Sequence, residues 1–229
     1  MEKVFLNWSG GKDCSLALHR LKKQGIPIDF LFTTLSKETT RVSMHGTPKE
    51  LITRQAMSIG IPSRKLYLPG SSDLTLYNKM MRHEMQLMQS RGINTAVFGD
   101  IFLEDLKKYR EEQLQAIGMN SVFPLWKEES KKLIEEFIDA GFKAIIVCVN
   151  AKKLSRDIVG KELNRSLINE LPADVDVCGE NGEFHTFVYD GPIFTQPIRF
   201  ITREIVLKHY PSSTGTHDSD FYFLDINHQ

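Results

Sequence analysis

Two short stretches of this chain hold residue types that can do chemistry at a useful spacing. The first is Ser9-Gly10-Gly11-Lys12-Asp13-Cys14-Ser15. It stands between an apolar run at residues 4–8 and a segment with helical apolar spacing at Leu16, Ala17, Leu18 and Leu21. Glycines let the backbone come close to an anion. The first turn of a helix presents unpaired N–H groups at the positive end of its dipole. Lys12 adds a point charge suited to phosphate oxygens, and Ser9 and Ser15 add hydroxyl donors. On physical grounds this is a phosphate cradle. The plain alternative is a tight turn that merely holds two glycines, and the coincidence of strand, Gly-Gly-Lys and helix start disfavours it.

The second stretch is Cys178-Gly179-Glu180-Asn181-Gly182-Glu183-Phe184-His185-Thr186. It gathers two carboxylates, an amide and an imidazole between glycines. If a strand starts there, alternation about Phe184 puts Glu183 and His185 on one face. A carboxylate beside an imidazole suits ammonium binding, proton transfer or metal contact. Glu and Asn next to Gly also occur in ordinary turns, and composition alone leaves the two readings level.

Other candidates stand singly. Gly99-Asp100 closes an apolar run, where Asp100 is placed to orient Lys12, a metal or a substrate, or to cap the next helix. His45 lies in a loop and is read either as reaching a phosphate or carboxylate or as loop packing. Cys14, at a helix start, is either a thiol of lowered pKa or a small residue tolerated in the loop. Arg110 and Glu111 read first as solvated helix residues, and second as residues that reach the site.

These residues need a scaffold. Apolar runs at 4–8, 30–35, 65–68, 95–98 and 121–125 alternate with helical patterns. The helices follow Ser15 as far as Gly25, run from Thr47-Pro48 to Gly60 with Thr47 as N-cap, and cover about 73–91 and 103–117. Such alternation predicts right-handed βαβ units and a five-stranded parallel sheet, an α/β fold. A doubly wound order sets the first strand beside the fourth, so the loops at 9–15 and 99–101 meet at the switch point where such sheets bind ligands. The second half changes character: a helix at 128–140, a strand at 144–149, a short helix at 164–171, then strands at 184–189, 199–209 and 221–226, with a loop at 211–215. A boundary near Trp126 gives domains 1–125 and 126–229, the second a smaller α+β unit.

Composition excludes several classes. The 29 basic and 29 acidic residues cancel, so the chain is no bulk polycation and nucleic acid is not an expected partner. With 41% hydrophobic residues it is not a disordered acidic or basic chain. No apolar run approaches the roughly 20 residues needed to span a bilayer. Cys14, Cys148 and Cys178 are scattered, which predicts no disulfide framework and a reducing cytoplasm.

Spacing narrows the cradle. Walker A needs Gly where this chain has Leu6, and Ser or Thr where it has Asp13; GxGxxG fails because Gly10 and Gly11 are adjacent. Ser9 through Cys14 instead resembles the SGGKDS pyrophosphate loop of N-type ATP pyrophosphatases, in the adenine nucleotide alpha hydrolase-like superfamily, with Cys14 where Ser is usual. Along almost all its length the chain is similar to the diphthine–ammonia ligase family. The resemblance is carried by that loop, by Phe98-Gly99-Asp100-Ile101, by Pro124-Leu125-Trp126, by Gly179 through Thr186, and by Asp190-Gly191-Pro192.

The resemblance implies a Rossmann-like nucleotide domain followed by a substrate domain. It implies ligation of a carboxylate with ammonia at the expense of ATP, yielding amide, AMP and pyrophosphate. ATP is expected on Ser9 to Ser15, Thr33 and Gly99, with Mg²⁺ beside the phosphates. Lys12, Asp13, Asp100, Glu180, Glu183 and His185 are the implied catalytic set, and His45, Asn181 and Gly182 the implied substrate contacts. Members that make diphthamide read EGGEFE or EGGEYE where this chain reads ENGEFH. Replacing that last carboxylate by His185 turns the expectation from protein-borne diphthine toward a small carboxylate, with corrinoid salvage one suggestion. A homodimer is expected, with 221–226 as a pairing edge strand. Two rivals remain: a tRNA sulfurtransferase with the same loop, and a nucleotide-binding sensor without turnover.

Overall fold

The computed structural model describes residues 3–70, 74–210 and 219–229. In the first half, strands β1 (Lys3–Asn7), β2 (Phe30–Ser36), β3 (Ser63–Leu68), β4 (Ile93–Val97) and β5 (Asn120–Val122) alternate with helices α1 (Lys12–Lys23), α2 (Lys49–Ile59), α3 (Leu74–Gln89) and α4 (Glu104–Gln115). All five strands are parallel, in the order β3-β2-β1-β4-β5. Buried parallel strands need apolar residues on both faces, and β1 supplies them: Phe5 and Leu6 are both fully buried. Side chains of this kind contribute about 1.5–3 kcal/mol each on burial.

The remaining elements are α5 (Ser130–Asp139), β6 (Lys143–Asn150), α6 (Arg165–Glu170), β7 (Phe184–Asp190), β8 (Phe200–Tyr210) and β9 (Ser219–His228). They form an antiparallel sheet in the order β7-β6-β9-β8. The strand expected at 221–226 is therefore internal, between β6 and β8, and β8 is a free edge instead. The expected loop at 211–215 and the expected first residue of α3, Asp73, lie outside the described residues.

One continuous core joins the halves. Leu6, Leu18 and Ile52 belong to the same buried cluster as Phe137, Ile146 and Phe187. A second cluster, including Phe5, Phe32, Met85 and Phe98, fills the opposite face under α3 and α4. Arg20 on α1 ties the halves from outside, donating to Glu136 on α5, to Glu128 and to the Pro124 carbonyl. Two caps differ from expectation. Pro48, not Thr47, is the N-cap of α2; Thr47 is buried and its hydroxyl finds no partner among the described residues. Leu103, not Asp100, caps α4.

Candidate functional site

A cavity of about 480 Å³ opens where β1 and β4 neighbour each other. Its wall is built by both halves of the chain. Ser9, Lys12, Asp13 and Cys14 come from the loop after β1, Gly99 and Asp100 from the end of β4, and Glu180, His185 and Thr186 from the second stretch.

The glycine loop is held by strand β7. Val188 N–H donates to the Gly10 carbonyl at 2.9 Å, and Lys12 N–H donates to the Thr186 hydroxyl at 3.0 Å. Gly10 sits at φ +81°, and a Cβ there would lie 2.6 Å from Gln55 Oε1, so glycine is required. Gln55 is the hidden organiser. Its amide donates to the carbonyls of Gly10 (3.0 Å) and Val188 (2.6 Å), and its oxygen accepts from Trp8 Nε1 at 2.9 Å. A polar residue in the apolar stripe Leu51, Ile52, Ala56, Ile59 was the sequence signal for it.

The N-cap of α1 is Gly11, which has no side chain to cap the helix, and of the first-turn N–H groups only that of Lys12 is taken among the described residues, by Thr186. Lys12 is only 5% exposed. Its Nζ lies 2.8 Å from Asp13 and 5.5 Å from the Phe184 ring centre. Burial opposes the charge, but Asp13, with a further contribution from Glu180, holds the ammonium above its ordinary value. Ser15 turns its hydroxyl back to the Gly11 carbonyl at 2.8 Å. The Cys14 thiol donates to the same carbonyl at 3.1 Å, and burial pushes it up rather than down. The lowered thiol pKa expected of a helix start is therefore overridden by desolvation.

Asp100 sits 3.1 Å from Arg110 Nε, without hydrogen-bond alignment. Burial raises its carboxyl against the pull of Arg110, and Asp13 adds repulsion. The Arg110 guanidinium lies 4.3 Å from the Phe98 ring centre in the cavity wall. Arg110 thus lines the cavity while remaining partly exposed.

In the second stretch, Glu180 Oε1 accepts from Ile101 N–H at 2.8 Å. Burial pushes this carboxyl up to about 7, helped by repulsion from Asp13. Asp176 holds the turn, accepting from Cys178 and Glu180 N–H at 3.2 and 3.0 Å. Glu183 is buried and faces that turn, accepting from Asp176 N–H at 3.0 Å and Asn181 Nδ2 at 3.1 Å. It precedes β7, so strand alternation does not govern it. Glu183, Asn181 and Gly182 lie outside the cavity wall, whereas His185 is in it. His45 is also in the wall, with its ring 4.6 Å from that of His185. Thr33 is buried and donates to the Trp8 carbonyl at 2.7 Å; its neighbour Thr34 lines the cavity.

Among the described residues, no group of three His, Cys, Asp or Glu side chains is arranged to hold a metal ion. No described helix is long and apolar enough to cross a membrane.

The family model for the diphthamide synthase N-terminal domain matches residues 2–121, and that for the C-terminal domain matches 129–215. The chain belongs to the diphthine–ammonia ligase family. Among its curated relatives, a diphthine–ammonia ligase of Danio rerio is 28% identical over 171 residues, covering 71% of this chain and 64% of the relative. One from Schizosaccharomyces pombe is 30% identical over 116 residues, 48% of this chain and 19% of the relative. One from Mus musculus is 32% identical over 114 residues, 46% and 42% respectively. The chain thus spans less than two thirds of the length of each of these family members.

Proposed function

We propose that this protein is an ATP-dependent ligase that adenylates a carboxylate and transfers ammonia to it, releasing AMP and pyrophosphate. The observation that carries the reading is Lys12. It is a buried, charged lysine at the open start of α1, in a cavity shared with Glu180 of the other half. Residues 1–125 would supply the nucleotide site and 126–229 the acyl side.

In this reading, the substrate carboxylate attacks the α-phosphorus. The Lys12 ammonium and the remaining first-turn N–H groups of α1 stabilise the charge gathering on the leaving pyrophosphate. Ammonia then attacks the acyl carbon, and AMP departs. Glu180, with its carboxyl near 7, is poised to take the proton that the attacking nitrogen sheds. Mg²⁺ accompanying the triphosphate finds no three-ligand cluster among the described residues, and no step here runs through it.

The position that departs from the diphthamide-making motif, His185, lies in the cavity wall. The change of charge therefore falls inside the site, which supports a small carboxylate in preference to protein-borne diphthine. The three cysteines are buried and free, and burial raises each thiol. Such thiols fit amide formation in a reducing cytoplasm better than sulfur transfer. A homodimer completes the reading, with β8 as a free edge open to pairing.

The test is a panel of small carboxylates with ATP and ammonium chloride, measuring AMP and amide together. Equal amounts of both, dependent on one carboxylate, are expected. AMP release that no carboxylate stimulates, or nucleotide binding without turnover, overturns the ligase reading.

A further inference from the structure

Two imidazoles meet in the cavity wall, and the adenylation step uses neither. His45 comes from the loop between β2 and α2, and His185 from β7. Their ring centres lie 4.6 Å apart, with the planes tilted by 33°. The tautomer of His45 is set by its neighbour. Its Nδ1 lies 3.2 Å from the Thr186 carbonyl oxygen. A carbonyl oxygen can only accept, so Nδ1 carries the hydrogen and Nε2 keeps a bare lone pair. Thr186 is itself fixed, because its hydroxyl accepts from Lys12 N–H at 3.0 Å. The glycine loop makes room for the ring: a Cβ on Gly11 would lie 2.8 Å from His45 Cε1. Neither ring nitrogen of His185 has a hydrogen-bond partner among the described residues. Burial keeps both rings in their neutral form, His45 down at about 4 and His185 well below the ordinary value. Lys12 presses both the same way, and His45 adds to the effect on His185.

A neutral imidazole nitrogen without a hydrogen is an acceptor. His45, whose N–H is spent on the Thr186 carbonyl, meets the cavity as an acceptor alone and offers nothing to phosphate or carboxylate oxygens, which need donors. It suits a small ligand rich in N–H groups. Resting on the ligase reading above, where a carboxylate becomes an amide, we infer that His45 and His185 form the ammonia subsite, their ring nitrogens accepting hydrogen bonds from ammonia and holding it for attack. The nitrogen lone pair forms the C–N bond, the C–O bond to AMP breaks, AMP leaves with that electron pair, and the surplus proton passes from nitrogen to the Glu180 carboxylate. Thr186 acts as a positioning residue through the tautomer of His45.

The decisive experiment reads the rings themselves. Long-range ¹⁵N–¹H spectra of the whole protein are recorded while ammonium chloride is added, against potassium chloride at equal ionic strength and against pyrophosphate. Saturable shifts of the His45 and His185 ring nitrogens with ammonium alone are expected. Absence of shifts, equal shifts with potassium, or shifts with pyrophosphate overturn the assignment. Kinetics supply the second arm, using the carboxylate identified by the panel. His45→Leu and His185→Leu, which remove the acceptor, each raise the apparent KM for ammonium by about threefold to tenfold, the size of one lost hydrogen bond. The KM for ATP in pyrophosphate exchange stays in place. A raised KM for ATP with ammonium unaffected marks the pair as a phosphate site and overturns the proposal. Absence of pyrophosphate exchange in the unaltered protein defeats the ligase reading instead, and the spectra still decide what the rings bind.

Discussion

The loop after β1 and the turn before β7 face each other across one cavity, but they are built on different principles. The first works through its backbone. Gly10 and Gly11 clear space, α1 starts from a glycine N-cap, and only Lys12 projects a decisive side chain. The second works through side-chain direction. Within six residues, Glu180 and His185 enter the cavity wall while Asn181 and Glu183 fold back to hold the turn. Local sequence specifies a backbone cradle, because Gly-Gly-Lys at a helix start has few other uses. Which way each side chain of a turn points depends on what packs around it.

Substitutions can break or sharpen this contrast. Lys12→Ala should act most strongly, lowering AMP and pyrophosphate formation by about a hundredfold to a thousandfold. Unchanged pyrophosphate exchange would remove the loop from phosphate chemistry and collapse the distinction. Glu180→Gln comes next, with amide formation down about a hundredfold and adenylation retained. Glu180 works as a base only when deprotonated, so the unaltered enzyme should lose amide formation as pH falls through about 7. At constant free ammonia the Gln variant should lack that limb, and a pH–rate profile under that condition is the measurement.

Glu183→Ala tests the claim that this carboxylate belongs to the turn. The substitution strands Asp176 N–H and the Asn181 amide, and should cost about 1–3 kcal/mol of stability in urea unfolding. Full stability with lost amide formation would instead place Glu183 in the reaction. Cys14→Ser is the smallest change, since a serine hydroxyl can make the same bond to the Gly11 carbonyl. Exchange kinetics within about threefold of the unaltered protein, and stability within about 1 kcal/mol, are expected. A large loss would give the thiol a chemical part that its burial argues against.

Much of the scaffold was legible. The five apolar runs of the first half became β1 to β5 with ends moved by only a few residues, and the first strand does lie beside the fourth. Apolar runs and stripes report burial directly, and burial drives these elements. Where the reading failed, a partner remote in sequence decided. Thr47 yields the cap to Pro48. The strand expected as an edge is covered on both sides. Arg110, read first as solvated, lies over Phe98.

The sequence alone determined the parallel sheet, the glycine loop at its switch point and the kinship that these residues carry. Those features follow from periodicity and from backbone demands that neighbours in the chain satisfy. Tertiary structure decided that β7 holds the loop through Val188 and Thr186, that Gln55 joins them, and that Glu180 and His185 point inward while Glu183 does not. Each of these depends on hydrogen bonds between residues far apart in the chain, and no local pattern encodes a partner's position.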